Sequence, residues 1–223
     1  MKPCVIFDLD GTLADTSLDL LAAANRCFAE MGEAVRLSTE TDRELALRGG
    51  RVMLAEGLTR LGRPDQARVM AWYPRLLEVY GENVATHTAL YPGAVAAVEG
   101  LIEAGYAVGV CTNKTENLAD ILLKTLGVRD LFGSLIGADT LPVKKPDPLH
   151  YWAAVDGCGG RREASLLVGD SDTDRKTSAA AGVPSILVSF SPAGEAVRAL
   201  APEAVITHFG ELHGEVVRLI GQP

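Results

Sequence analysis

Cys4-Val5-Ile6-Phe7-Asp8-Leu9-Asp10-Gly11-Thr12 is the stretch on which the reading of this chain turns. Its four leading apolar residues predict a short buried strand, and the acidic pair ends that run. Gly11 permits a tight turn. Asp8 and Asp10, two residues apart at a strand end, can then face one site once the chain leaves extended geometry. Taken alone, the segment reads equally well as an Asp-Gly loop in which Thr12 or Thr16 caps a helix.

Further strands are predicted over 107–111, 135–136, 166–168 and 185–188, each rich in Val, Ile or Leu. Helical patterns lie between them. Val95, Val98 and Ile102 form one stripe within 92–104; Leu118, Leu122 and Leu126 form another that Gly127 stops. Val216, Val217 and Ile220 mark a last helix over 211–220. Strands alternating with helices predict an α/β fold, a Rossmann-like doubly wound parallel sheet.

The alternation breaks between Thr16 and Thr86, where only helices are legible. Thr16-x-x-Asp19 resembles a capping box ahead of Leu18, Leu21, Phe28 and Met31, with Gly32 as the stop. Thr41-x-x-Glu44 opens a second helix that Gly49-Gly50 ends, and Met53, Leu54, Leu58 and Leu61 mark a third. A fourth runs over 64–80, with Pro64 in its first turn and Pro74 as a kink. The expected division is a core of 1–14 and 88–223 with an inserted four-helix domain over 15–87.

Bulk properties narrow the partners. The 223 residues carry a net charge of −8 and no Lys/Arg-rich run, which argues against nucleic acid and anionic membrane. An anionic substrate then needs local help from a metal, a helix N-terminus or single basic residues. No apolar run is long enough to span a bilayer or to act as a secretory signal. Cys4, Cys27, Cys111 and Cys158 have no paired spacing and read as reduced, mostly buried thiols of a cytoplasmic protein. Oligomeric state is not legible.

Three further motifs follow predicted strands. Thr112-Asn113 offers a hydroxyl and backbone N–H groups for an anion, or an ordinary helix cap. Lys145-Pro146 is a phosphate-binding lysine or a solvated one. Asp170, Asp172 and Asp174 lie within five residues and repel one another unless a hard cation is near; the alternative is a loop with Asp174 in the next helix's first turn. All four motifs fall beyond carboxyl ends of strands, where open parallel sheets bind ligands. A nucleophile, carboxylates for a cation, a hydroxyl and a lysine together suit phosphoryl transfer.

In that order the motifs resemble those of the haloacid dehalogenase superfamily, and the inserted helices resemble its helical cap. The likeness spans nearly the whole chain and is nearest to the phosphoglycolate phosphatase type. It implies a magnesium-dependent phosphatase acting on a small phosphorylated metabolite, best guess 2-phosphoglycolate. By the resemblance Asp8 is the nucleophile and Asp10 the general acid, then base. Leu9, Thr112, Asn113 and Lys145 cradle the phosphate. Mg2+ is held by Asp8, Asp10 through its backbone carbonyl, and Asp170, with Asp174 in support. Apart from the resemblance, the loop at Gly49 and Gly50, with Arg48 and Arg51 on either side, reads as the part that contacts the leaving group or as solvated arginines on a helix. A sugar-phosphate mutase or an inorganic pyrophosphatase of the same superfamily stays open. A signalling receiver domain is disfavoured by the insert and by the acidic pair at the first strand. His87, His150, His208 and His213 read as structural or surface residues.

Overall fold

The apolar runs and amphipathic stretches become regular elements in a computed structural model that describes residues 1–223. The chain opens with β1 (Lys2–Phe7) and β2 (Ala14–Asp15), then four helices, α1 (Ser17–Glu30), α2 (Arg43–Leu47), α3 (Gly50–Arg60) and α4 (Gln66–Glu82). After β3 (Ala89–Leu90) come α5 (Ala94–Glu103), β4 (Ala107–Cys111), α6 (Glu116–Thr125), β5 (Ser134–Ile136) and α7 (Pro148–Gly157). The last part holds β6 (Gly160–Gly169), α8 (Asp172–Ala181), β7 (Ser185–Val188), β8 (Ala204–Ile206) and α9 (Leu212–Ile220). Two units result: Met1–Ala14 with Leu90–Pro223, and Asp15–Ala89.

The first unit is built on a six-stranded sheet in the order β5-β4-β1-β6-β7-β8, and every pairing is parallel. A parallel sheet covered by helices needs apolar residues on both faces of its strands, and β1 is buried at every position after Lys2. Register places the site. Phe7 pairs with Val110 on one side and Val168 on the other. Asp8, the Cys111-Thr112 step and the Gly169-Asp170 step therefore leave the sheet at one level. The chain reverses direction across the sheet beside β1, the switch point at which such sheets form a crevice.

The second unit buries Phe28, Met53, Leu54, Leu58, Leu76, Val79 and Tyr80 among its helices. Gly57 is needed where α3 meets α1, since a Cβ there would lie 2.1 Å from the Phe28 ring. Three local expectations are corrected in this unit. Pro64 lies outside α4, which is capped by Asp65 accepting the Arg68 N–H at 3.0 Å. Asp19 does not serve its own helix start; its carboxylate takes the N–H groups of His87 and Thr88 at 2.8–3.0 Å and the Thr88 hydroxyl at 2.8 Å. Asp42, not Thr41, stands at the start of α2, where it accepts from Ser38 N–H and the Arg60 guanidinium.

In the sheet, β6 runs well beyond 166–168, because its first half is largely exposed and carries no apolar run. The edge strand β8 carries no legible pattern in the sequence: three residues, two of them only half-buried, leave no periodic signal. No helix is long and apolar enough to cross a membrane.

Candidate active site

Asp8 is the first residue beyond β1, and its carboxylate is held from two sides. The Leu9 N–H donates to Oδ1 at 2.7 Å, and Lys145 Nζ approaches the same oxygen at 2.9 Å. Lys145 is 3% exposed and also reaches Asp174 Oδ1 at 2.7 Å. The other Asp174 oxygen takes the Ser171 hydroxyl at 2.6 Å and the N–H groups of Ser171 and Asp170 at 3.2 and 3.3 Å. Gly169 makes room for this: a Cβ there would stand 2.3 Å from Asp174 Cγ. Lys144, next to Lys145, is exposed.

Ligand atoms of Asp8, Asp170 and Asp174 all lie within 4.8 Å of one another. Three carboxylates meet one ammonium there, so two negative charges lack a counter-charge. The consequence shows in their proton affinities. Burial pushes the Asp8 carboxyl up to about 6, with Lys145 opposing and Asp174 and Asp10 adding to the rise. Burial likewise holds Asp170 well above the usual carboxylate range, reinforced by Asp174 and Asp8. Burial works against the charge on Lys145, yet Asp174 and Asp8 outweigh it and raise its proton affinity. An oxygen-only, buried and charge-deficient set of this kind fits a hard divalent cation.

Asp10 is engaged by a residue that the motifs did not single out. Lys114 Nζ lies 2.8 and 3.0 Å from the two carboxylate oxygens of Asp10. Lys114 is nearly buried, and its own backbone is fixed: its N–H donates to Thr112 Oγ1 at 3.2 Å, and its carbonyl accepts from Ala138 at 2.8 Å. The only sequence signal was its place directly after Thr112-Asn113. Thr112 is buried and donates its N–H to the Ile136 carbonyl at 2.9 Å. The Asn113 amide donates to the Lys145 carbonyl at 3.2 Å, tying the loop after β4 to the one before α7. The structure thus brings Asp8, Leu9, Asp10, Thr112, Asn113, Lys145 and Asp170, in loops, and Asp174, in the first turn of α8, to one end of the sheet.

Gly49, Gly50 and Arg51 belong to the other unit, where each has a local part. Gly49 has φ 102° and precedes α3, a conformation that favours glycine. A Cβ on Gly50 would lie 2.8 Å from Leu76. The Arg51 guanidinium stacks over the Tyr73 ring, 4.4 Å from its centre. His150 is fully buried between Cys111 Sγ at 3.1 Å and the Gly137 carbonyl at 2.8 Å, and burial depresses its proton affinity.

Residues 5–188 match the family described as haloacid dehalogenase-like hydrolase. The phosphoglycolate phosphatase of Mesorhizobium japonicum is 37% identical over 224 residues, covering 98% of this chain and 97% of that protein. A solved structure described as a predicted phosphoglycolate phosphatase from Haemophilus somnus superposes with a TM-score of 0.83 over 96% of this chain and 97% of that one, at 21% identity. CbbY from Rhodobacter sphaeroides, solved in complex with phosphate, gives 0.74 over 95% and 96% at 25% identity.

Proposed function

The chain belongs to the haloacid dehalogenase-like hydrolases, and we propose that it is a magnesium-dependent phosphatase that hydrolyses a small phosphate monoester, 2-phosphoglycolate by preference, through a phosphorylated Asp8. One observation carries this reading: a buried carboxylate at a strand end, Asp8, shares its surroundings with Lys145, Asp170 and Asp174 and with a second carboxylate, Asp10, two residues on. The curated relative's name supports the substrate.

Asp8 attacks phosphorus in line with the leaving oxygen, forming the Asp8–phosphate bond as the ester bond breaks. Lys145, the Thr112 hydroxyl and N–H groups near Leu9 and Asn113 hold the non-bridging oxygens. Asp10, in its protonated form, gives its proton to the departing alkoxide and later takes one from the water that hydrolyses the intermediate. Lys114 then keeps its bond to one Asp10 oxygen while the other oxygen carries the proton. Asp8, the Asp10 carbonyl and Asp170 are the residues that would hold magnesium, with Asp174 supporting them through Ser171 and Lys145. When bound, the ion offsets the repulsion between an anionic ester and an anionic nucleophile. We assign the helical unit Asp15–Ala89 the part of a cap that excludes water, and Gly49, Gly50 and Arg51 the reading of the leaving group.

Phosphate release from 2-phosphoglycolate, set against a panel of sugar phosphates and pyrophosphate, tests the proposal. Turnover that requires magnesium, is greatest on 2-phosphoglycolate and vanishes in Asp8→Asn is the expected result. Undiminished turnover in Asp8→Asn would overturn the mechanism, and a better substrate elsewhere in the panel would replace the one named.

A further inference from the structure

We propose that Cys4 and Cys158 form a thiol pair that hydroperoxides oxidise to a reversible disulfide, a modification site separate from the catalytic loops. The two sulfurs stand 3.3 Å apart although 154 residues separate them in sequence. Both belong to the sheet-bearing unit. Cys4 is wholly buried in β1, while Cys158, directly after α7, is half-buried.

The backbone holds the pair together. The Lys2 N–H donates to the Gly159 carbonyl at 3.4 Å, Lys2 pairs with Gly160, and the register shifts between Lys2 and Cys4. A Cβ on Gly160 would lie 2.7 Å from both Cβ and Sγ of Cys4, so the turn at 159–160 is pressed against the strand. A disulfide needs its sulfurs at about 2.05 Å, so closure asks for roughly 1.2 Å of approach.

The four thiols differ in the way such selectivity requires. The hydrogen bond between the pair draws the Cys158 thiol down to about 7 and raises that of Cys4, so Cys158 is the thiol of the pair that gives up its proton more readily. The other two are pushed the opposite way by burial, Cys27 to about 11 and Cys111 to about 12. Thiolate and access together decide which cysteine reacts.

The chemistry balances with a hydroperoxide as the oxidant. The Cys158 thiolate attacks the distal oxygen, the O–O bond breaks, and the products are a sulfenic acid and an alkoxide or hydroxide. The sulfur loses two electrons and the peroxide gains them. The Cys4 thiol then attacks the sulfenic sulfur; its proton leaves with the hydroxyl as water and the S–S bond forms. A dithiol returns both thiols by exchange. The oxidised state staples β1, four residues before Asp8, to the turn between α7 and β6.

The test exposes the full chain to hydrogen peroxide near neutral pH, removes the peroxide, alkylates the remaining thiols in denaturant and maps the peptides. The expected result is a fall from four alkylatable thiols to two, with Cys4 and Cys158 linked within one molecule, at least about tenfold faster than any loss at Cys27 or Cys111. Dithiothreitol should restore all four. Cys158→Ser and Cys4→Ala should each abolish the link. Cys4 and Cys158 both remaining alkylatable, a link between two molecules, or oxidation of Cys158 past the sulfenic stage with Cys4 free would each overturn the proposal. The wild-type peptide map decides even where a variant fails to fold, and it does not depend on phosphatase activity.

Discussion

Lys114 shows how much of a site can rest on a residue outside every motif. Its ammonium bonds both oxygens of Asp10 across 104 residues of sequence, a pairing no local pattern encodes. General acid catalysis is worth about 10²–10⁴-fold, and an acid whose orientation is lost forfeits part of that. Lys114→Met should lower kcat on an alkyl phosphate by roughly 10–100-fold. It should lower kcat far less on p-nitrophenyl phosphate, whose leaving group needs little protonation; equal losses on both esters would show that Lys114 does not act through Asp10. Asp8 yields a prediction of a different kind. Its carboxyl is raised from the usual 3.8 to about 6 in the metal-free fold, so the folded state holds that proton more tightly than the unfolded chain. The resulting stability is complete below about pH 4 and is lost as pH rises through about 6, a swing of roughly 3 kcal/mol at about 1.4 kcal/mol per unit. Urea midpoints of EDTA-treated protein at pH 5 and 7.5 should record this loss, and Asp8→Asn should lack it.

The elements were legible to different degrees, for reasons visible in particular segments. β1, β4 and β7 are short apolar runs flanked by polar residues, and such runs announce themselves. The acidic and hydroxyl-bearing residues that follow them stand out for the same reason. β8 and the exposed half of β6 have no such contrast. What local pattern cannot convey is who meets whom: Asp19 reads as a cap but binds the chain at His87 and Thr88, and Lys145 joins Asp8 to Asp174. The junction of β6 and α8 illustrates the cost of disturbing such a meeting. A methyl group on Gly169 would collide with the Asp174 carboxylate, which would have to release either Lys145 or the Ser171 turn. Overpacking of this kind costs about 1–3 kcal/mol. Gly169→Ala should therefore destabilise the protein by that amount in urea and also cut kcat by at least about tenfold, whereas Gly100→Ala, in open space within α5, should leave kcat unchanged.

At the scale of the molecule, the uncompensated charge of the Asp8, Asp170 and Asp174 cluster couples metal to folding. A ligand at about a hundred times its Kd adds roughly 2.7 kcal/mol, or roughly 5–10 °C in melting temperature for a chain of this size. Magnesium at neutral pH should raise Tm by that amount, and Asp170→Asn should remove most of the rise; an unchanged Tm in the wild type would mean that the cluster holds no cation. The order of the sheet has a further consequence, one of timing. β1 is complete at Phe7, yet its two neighbours begin at Ala107 and Gly160. A ribosome must therefore extrude more than a hundred and fifty residues before the central strand can be enclosed on both sides. Until then an apolar strand with at least one open edge waits in the nascent chain, the situation in which chaperones are recruited and aggregation competes. A polypeptide released before Gly160 would carry Asp8, Asp10, Thr112 and Lys145 but lack β6, Asp170 and Asp174, so early termination yields a substrate for proteases and no weakened enzyme.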